Sequence, residues 1–380
     1  MIPIKKEGIT EIAYKKAIEV LKKCSTKNGF YAAYPGYDMV FGRDSMIISL
    51  GASLLKDKKL KETFKNSLIT LAKNQSKKGQ IPNAVDRFIK GRKHHVDFKS
   101  VDSSLWFIIG SYIYKQRYKE ASLFKKHKNA IKKAITWLEY RDFGEDITLE
   151  QLPTTDWQDA FPHKYGHTIN TQALYYKILN LIGKKSLAEK LKIIVNEDKD
   201  DKLWQGEFYL PWRWKNHGKY KEFGEWFDSL GNLLAIIYDL ANKEQAEKII
   251  NYIKNKRVDK PFPVKAIYPA IKRGSKYWED YFNDCDARTP YHYLNAGIWT
   301  YIGGFYVLAL VKLKKFKEAE KQLELLAKAN MQKPFFSEWL NGKTGKPGVS
   351  ASGSKEGNQG WNAGMYIAAY ESVKAKKCLV

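Results

Sequence analysis

Cysteine is nearly absent from this sequence. Its three copies, Cys24, Cys285 and Cys378, stand far apart and are odd in number. Neither a disulfide framework nor the paired spacing of a zinc ribbon can be built from them, and a reducing, cytoplasmic setting is the expectation. A membrane-length apolar run is also missing. The longest weakly polar stretch, residues 296–311, contains Gly297, Gly303 and Gly304 and at about 16 residues falls short of the roughly 20 that a spanning helix needs. It reads as a buried core helix, with no membrane partner. The first ten residues carry charges and lack the apolar segment of a secretion signal. No phosphate-cradling G-x-x-x-x-G-K-S/T, no G-x-S-x-G and no dinucleotide fingerprint after a strand occurs, so phosphoryl and hydride transfer have no support. No Pro-rich or Ser/Gly linker divides the chain, and one domain over residues 1–380 is expected.

Acidic residues are the scarce charge: 41 Asp and Glu against 66 Lys and Arg leave a formal charge of +25. Such an excess invites a nucleic-acid reading, but its distribution argues against one. Most of it is Lys, spread through segments such as 56–65, 184–192 and 312–321 at spacings of solvated helix faces, while Arg, the better reader of phosphates and bases, is uncommon.

What the chain does have is 44% hydrophobic residues and a repeat. A Lys-rich amphipathic helix, a loop rich in Gly, Asp and Trp, and a more uniformly apolar helix follow one another, at a spacing of about 60 residues, six times over. The apolar members are residues 45–55, 102–114, 168–181, 229–240, 297–311 and 359–373, and the charged members are 7–22, 60–74, 119–139, 185–196, 243–255 and 316–330. A helix apolar all round must be buried, whereas one with a charged stripe covers the outside. The alternation therefore predicts an all-α toroid of six inner and six outer helices, an (α/α)6 barrel. Strand signals are weak, and short aromatic stretches such as residues 207–214 are expected to pair only locally.

Acids and tryptophans crowd the start of every inner helix. The clusters are Phe41-Gly42-Arg43-Asp44, Val101-Asp102, Asp156-Trp157-Gln158-Asp159, Glu225-Trp226-Phe227-Asp228, residues 284–295, and Glu338-Trp339 with Asn358-Gln359-Gly360-Trp361. In a ring of hairpins these loops converge on one mouth, lined further by Trp157, Trp226, Trp299, Trp339 and Trp361. Aromatic faces that pack on pyranose rings and carboxylates that bond hydroxyls suit a carbohydrate. Each acid also has an ordinary structural reading. Asp before a helix is a common N-cap, which fits Asp102 equally well, and Arg43-Asp44 fits an internal ion pair. Asp159 lies several residues ahead of its helix amid Trp157 and Phe161, where an apolar wall would raise its pKa and make it a proton donor. Glu338, between Phe335-Phe336 and Trp339 with a Gly-rich segment behind it, is poorly explained as a cap and is the candidate base. Two carboxylates across a sugar-sized pocket are what glycoside hydrolysis requires. His94-His95 with Asp97, and His163 with His167, match no metal-ligand spacing and read as loop histidines. No metal and no cofactor is expected.

These motifs, taken in order, resemble the (α/α)6-barrel glycosidases that include the amylo-α-1,6-glucosidase domain of glycogen debranching enzymes and the alkaline/neutral invertases. Phe41 to Ser45 is similar to the family's F/W-G-R-D-S/T. Val101 to Ile108 is similar to V-D-x-x-L-W-F/W-I, and Trp157 to Ala160 to W-M-D-A. Phe227 to Ile236 resembles the invertase-side F-x-S/T-L-G-N-L-x-A-I, and Phe336 to Trp339 with Gln359 to Gly364 resembles F-x-E-W/Y followed by Q-S/T-W-x-A-G. The resemblance implies Asp159 as general acid and Glu338 as general base of an inverting hydrolase, with Asp156 the alternative acid three residues away. It implies Arg43, Asp44, Asp102, Gln172, His292, Asn295 and Gln359 as sugar contacts, and the cluster reading adds Trp157, Trp226, Asp228, Trp299, Trp339 and Trp361. The chain departs from the family where Y-H-N-G-G-x-W-P becomes Tyr293 to Thr300, without the His, one Gly and the Pro, and where Thr171 replaces an acid. The expected activity is cleavage of an α-glucosidic bond in short α-glucan branches or maltooligosaccharides. Sucrose hydrolysis and a sugar-binding toroid without catalysis are the alternatives.

Overall fold

A computed structural model of the chain describes residues 7–380 apart from 87, 89, 90, 92 and 218. The first six residues, part of the segment read as lacking a secretion signal, lie outside the described residues.

Thirteen helices run in chain order among the described residues: α1 (Ile9–Cys24), α2 (Gly42–Ala52), α3 (Lys58–Lys73), α4 (Asp102–Tyr118), α5 (Ser122–Lys126), α6 (Lys128–Glu139), α7 (Ile169–Leu181), α8 (Lys185–Glu197), α9 (Ser229–Ile237), α10 (Lys243–Asn255), α11 (Thr300–Lys312), α12 (Phe316–Asn330) and α13 (Gly360–Ala375). Helix α2 packs on α4, α4 on α7, α7 on α9, α9 on α11, α11 on α13 and α13 back on α2. The inner ring is closed. Helices α1, α3, α6, α8, α10 and α12 cover it from outside, each against at least one inner helix. The result is the (α/α)6 barrel.

The sorting follows from side-chain chemistry. All residues of α2 are buried, and α9 and α11 are apolar nearly end to end. A helix with no polar face has no stable place at a water boundary. Helix α10 shows the opposite pattern: its Ala246, Ile249, Ile250 and Ile253 face in, its charges face out, and Asn242 and Gln245 close a capping box at its start.

Two expectations are corrected. The outer helix expected over 119–139 is two helices, α5 and α6, meeting at His127. The inner helix expected from Gly297 begins at Thr300, because Ile298 is extended and pairs with both Leu340 and Lys265.

Short antiparallel strands secure the loops at the mouth of the ring. Val40–Phe41 pairs with Ala84–Asp86, and Ala84–Asp86 with His95–Asp97. Glu150–Gln151, Gly166–Thr168, Trp212–His217 and Tyr220–Phe223 form a four-stranded sheet, into which the aromatic stretch read at 207–214 enters at Trp212. Each sheet holds a segment that leads into an inner helix, so the helix starts are anchored independently of the helices themselves.

Closure of the ring relies on the absence of side chains at two facing positions of α2 and α13. A Cβ on Gly51 would overlap the carbonyl oxygen of Gly364, and one on Gly364 would lie 2.7 Å from the Cα of Ile48. Backbone atoms cannot move aside as a flexible side chain can. Gly51→Ala is therefore expected to destabilise the fold by about 1–3 kcal/mol or more through overpacking, despite the better helix propensity of Ala. Denaturant unfolding with an unchanged m-value would register it, and a stability equal to wild type would contradict this packing.

Candidate active site

At the mouth of the ring a narrow cavity of about 60 Å³ is lined by residues from four of the six loops. Tyr37, Phe41, Arg43 and Asp44 come from the first hairpin and Trp157 and Asp159 from the third. Tyr293 and Trp299 come from the fifth, and Glu338, Gln359 and Trp361 from the sixth. Tyr37 and Trp361 line one cavity because α13 closes on α2.

The two candidate carboxyl groups share this cavity but have different surroundings. Asp159 remains accessible to water through the opening, while protein encloses it on its other sides. Burial pushes its pKa up to about 6, Arg43 pulls it back, and the negative charges of Asp44 and Asp102 raise it further. Glu338 is 5% exposed. Its Oε1 accepts from the Tyr37 hydroxyl at 3.1 Å, and its Oε2 from the Ser350 hydroxyl at 2.5 Å and the Ala351 amide at 3.0 Å. Burial raises its pKa, these three donors oppose the rise, and Asp159 adds to it. Two carboxyl groups that feel each other's charge face one small space, one open to water and one clamped.

Arg43 organises the floor. Its Nε lies 3.3 Å from Asp44, its Nη1 lies 3.4 Å from both oxygens of Asp102, and its guanidinium sits over the Trp361 ring. The ion-pair reading of Arg43-Asp44 and a cavity position hold together. Asp102 is fully buried behind Arg43 and also accepts from the Ser100 hydroxyl. It is not an N-cap, since it makes no capping bond to α4. Trp157 and Trp299 meet edge to face with ring centres 5.7 Å apart, and Trp361 stacks on Tyr301 at 4.2 Å, so the aromatic wall is one packed unit.

Several residues expected at the mouth are engaged elsewhere. Asp156, the alternative acid, is sealed in an ion pair with Lys164 at 2.8 Å. Asp228 pairs with the same lysine at 3.0 Å and caps α9 through the Gly231 amide. Gln172 bonds the backbone of Leu149 with both ends of its amide. Asn295 accepts from the Ile271 amide and donates to the carbonyls of Ile271 and Ala287. These four side chains are fully or almost fully buried with their polar atoms directed at protein partners, so they hold loops in place and do not line the cavity. Trp226 packs against Tyr277, while Trp339 and His292 pack against each other outside the cavity wall. Among the described residues no three His, Cys, Asp or Glu side chains gather as a metal-binding group. His163 meets the Tyr281 hydroxyl, and His167 meets Thr148 and Glu150.

Comparison with known proteins finds matches to both halves of the chain. A family described as "Amylo-alpha-1,6-glucosidase" matches residues 15–183, and one described as "Alkaline and neutral invertase" matches residues 221–375. The fold is similar to that of the GH63 mannosylglycerate hydrolase from Thermus thermophilus in complex with Tris and D-glycerate, with TM-score 0.65, 13% identity, and coverage of 93% of this chain and 99% of that one. A wild-type glycosidase gives TM-score 0.69 at 12% identity, with 96% and 97% covered. The chain shares its fold with these glycosidases, and two glycosidase family models match its two halves. Curated relatives include the mitochondrial neutral/alkaline invertase 1 of Oryza sativa subsp. japonica, 33% identical over 122 residues, which are 32% of this chain and 19% of that protein. The probable alkaline/neutral invertase F of Arabidopsis thaliana is 31% identical over 148 residues, 38% of this chain and 28% of that protein. The match thus spans under a third of these relatives' length.

Sequence reading missed Tyr37, Tyr293, Ser350 and Lys164. Tyr37 and Tyr293 carried the signal of an aromatic beside a charged motif. Ser350, in the Gly-rich segment after Glu338, became informative only through its bond. Phe336, Tyr293 and Asn358 all have positive φ, at 52°, 44° and 58°. Such a conformation is uncommon for residues other than Gly, and here it recurs in the segments that deliver Tyr293, Glu338 and Gln359.

Lys164 joins the third and fourth hairpins from a position with no exposed side chain. Burial works against its charge, but Asp156 and Asp228 outweigh that and raise its pKa. Lys164→Met would leave two buried carboxylates without their cation, and is expected to cost about 3–5 kcal/mol of stability. Thermal unfolding of the variant measures this, and a loss under about 1 kcal/mol, far below the cost of breaking a buried pair, would mean that the triad is not a structural link.

Proposed function

We propose that this (α/α)6 barrel is a glycoside hydrolase, and more closely an inverting hydrolase of an α-glucosidic bond, acting on short α-glucan branches or maltooligosaccharides. The observation that carries the reading is the pair of carboxyl groups in one cavity with opposite surroundings. A carboxyl whose pKa is raised to about 6 holds a proton it can give to a glycosidic oxygen. A carboxylate held by three donors keeps a fixed orientation with lone-pair capacity left for water. In the proposed reaction Asp159 protonates the leaving oxygen as the bond breaks. Glu338 takes a proton from the water that attacks the opposite face of the sugar. The positive charge that develops on the ring faces Asp44 and the aromatic wall of Trp157, Trp299 and Trp361.

The invertase match over residues 221–375, which contains Glu338, Gln359 and Trp361, favours sucrose as the second reading. Incubation with sucrose, isomaltose, panose, limit dextrin and trehalose separates the two, and NMR of the first product reports its anomer. An initial excess of β-glucose from sucrose or from the non-reducing end of an α-linked oligosaccharide supports inversion and an initial excess of the α-anomer there removes it, whereas α,α-trehalose releases both anomers on inversion. No product from any of the five sugars removes the hydrolytic reading.

Asp159→Asn and Glu338→Gln should each lower kcat by about 10²- to 10⁴-fold while sugar binding persists, which calorimetry and initial rates resolve. Near wild-type turnover in either variant would overturn its assignment. The two pKa shifts also set the pH dependence. Asp159 must be protonated, so activity falls as pH rises through about 6. Glu338 must be ionised, and because its pKa is raised, activity falls on the acid side from above the ordinary glutamate value of 4.5. A narrow bell between these limbs is expected in kcat/KM, and a profile with no decline on the alkaline side of about 6 would contradict it.

A further inference from the structure

A groove of about 610 Å³, much larger than the catalytic cavity, opens on the same face of the ring between the second and third hairpins. This volume lies in the range of small-molecule sites. Its walls are mainly hydrocarbon and aromatic: Trp137 from the end of α6, Phe143 from the turn after it, Leu152 and Pro153 from the loop that leads to Asp159, Tyr165 just before the strand Gly166–Thr168, and Trp214 from the four-stranded sheet. Phe143 and Leu152 are 65% and 66% exposed, a large apolar area to leave in water.

Arg141 gives the groove its chemistry. Its guanidinium lies over the rings of Trp137 and Phe143, 5.2 and 5.4 Å from their centres, and is therefore held between two aromatic faces. Its Nε is buried without a hydrogen-bond partner, and among the described residues no carboxylate lies within ion-pair distance of it. The neighbouring acids are already committed. Glu150, in the groove wall, accepts from the Phe143 amide at 2.8 Å and faces His167 at 3.3 Å. Asp142 accepts from the amides of Asp146 and Ile147, both at 2.9 Å. Lys99 and His163 add donors along the same groove. A positioned guanidinium fork matches a carboxylate in two parallel bonds, and its stacking on aromatic rings preserves that geometry.

We propose that this groove is a second ligand site, for a small organic carboxylate bearing a flat apolar ring, whose anionic end Arg141 binds and whose ring lies between Phe143 and the Leu152–Pro153 loop. The site is separate from the sugar cavity and does not depend on which bond is cleaved. It is coupled to that cavity by covalent continuity: the Thr155 carbonyl in the groove wall accepts from Val101 at the start of α4, at 2.7 Å, and Asp156, Trp157 and Asp159 follow directly. Occupancy would stiffen the segment that presents Asp159.

The test is calorimetric titration of the full chain with 2-naphthoate and, separately, with the neutral 2-naphthamide, for the wild type, Arg141→Met and Phe143→Ala. The expected result is one saturable site for 2-naphthoate with a preference over 2-naphthamide of at least about tenfold, the scale of a charge-assisted bidentate pair. That preference should vanish in Arg141→Met, whose fold is checked by circular dichroism, and Phe143→Ala should weaken both ligands. Equal binding of the two compounds by the wild type overturns the proposal even if Arg141→Met fails to fold. So do binding to many sites, no binding of 2-naphthoate at millimolar concentration, and a preference that survives in Arg141→Met, since a chain of net charge +25 can attract anions elsewhere.

Discussion

The contact between α2 and α13, made over Gly51 and Gly364, turns six hairpins into a ring, and the rest of the structure depends on it. An open array of the same hairpins would place the first and the last far apart. Closed, it sets Tyr37 against Glu338, Arg43 over Trp361 and Ala33 beside Gln359. The packing that buries the most uniformly apolar helices also assembles the cavity, so a loss of closure would remove stability and site geometry together.

Within that ring, charge is managed by concentrating it. Arg43 is shared by Asp44 and Asp102 in the floor of the cavity, and Lys164 is shared by Asp156 and Asp228 between the third and fourth hairpins. An isolated charge in such surroundings would be too costly to keep ionised. Burial raises the pKa of Asp159, and an arginine already facing Asp44 and Asp102 does not fully offset that rise. Glu338 draws on hydroxyl and amide donors in place of a cation, which orients it without cancelling its charge. The different kinds of neighbour give two otherwise similar carboxyl groups different properties.

Much of the fold was legible along the chain because burial leaves a periodic mark. Helices without a charged stripe, such as 229–240 and 359–373, had only one place to go. Boundaries were less legible where strands intervened: Gly297 to Trp299 carries helix-compatible residues, but pairing of Ile298 with Leu340 and Lys265 keeps it extended. At the site, the motif acids and tryptophans could be picked out by their position before inner helices. Their destinations could not. Asn295, Gln172 and Asp228 resembled site residues by position, and each satisfies a buried backbone group or a buried lysine.

The sequence by itself determined the class of architecture, the sorting of helices into inner and outer, and the short list of chemically able residues. Those properties are local, set by which side chains tolerate water and which can carry a proton. Only the tertiary structure decided that Asp159 and Glu338 share a cavity, that Asp156 three residues away is locked to Lys164, and that Tyr37 and Ser350 hold Glu338. Such choices depend on loop conformations and on contacts between residues hundreds of positions apart. One residue of displacement in a loop turns a side chain from the cavity to the core, and no pattern along the chain records that turn.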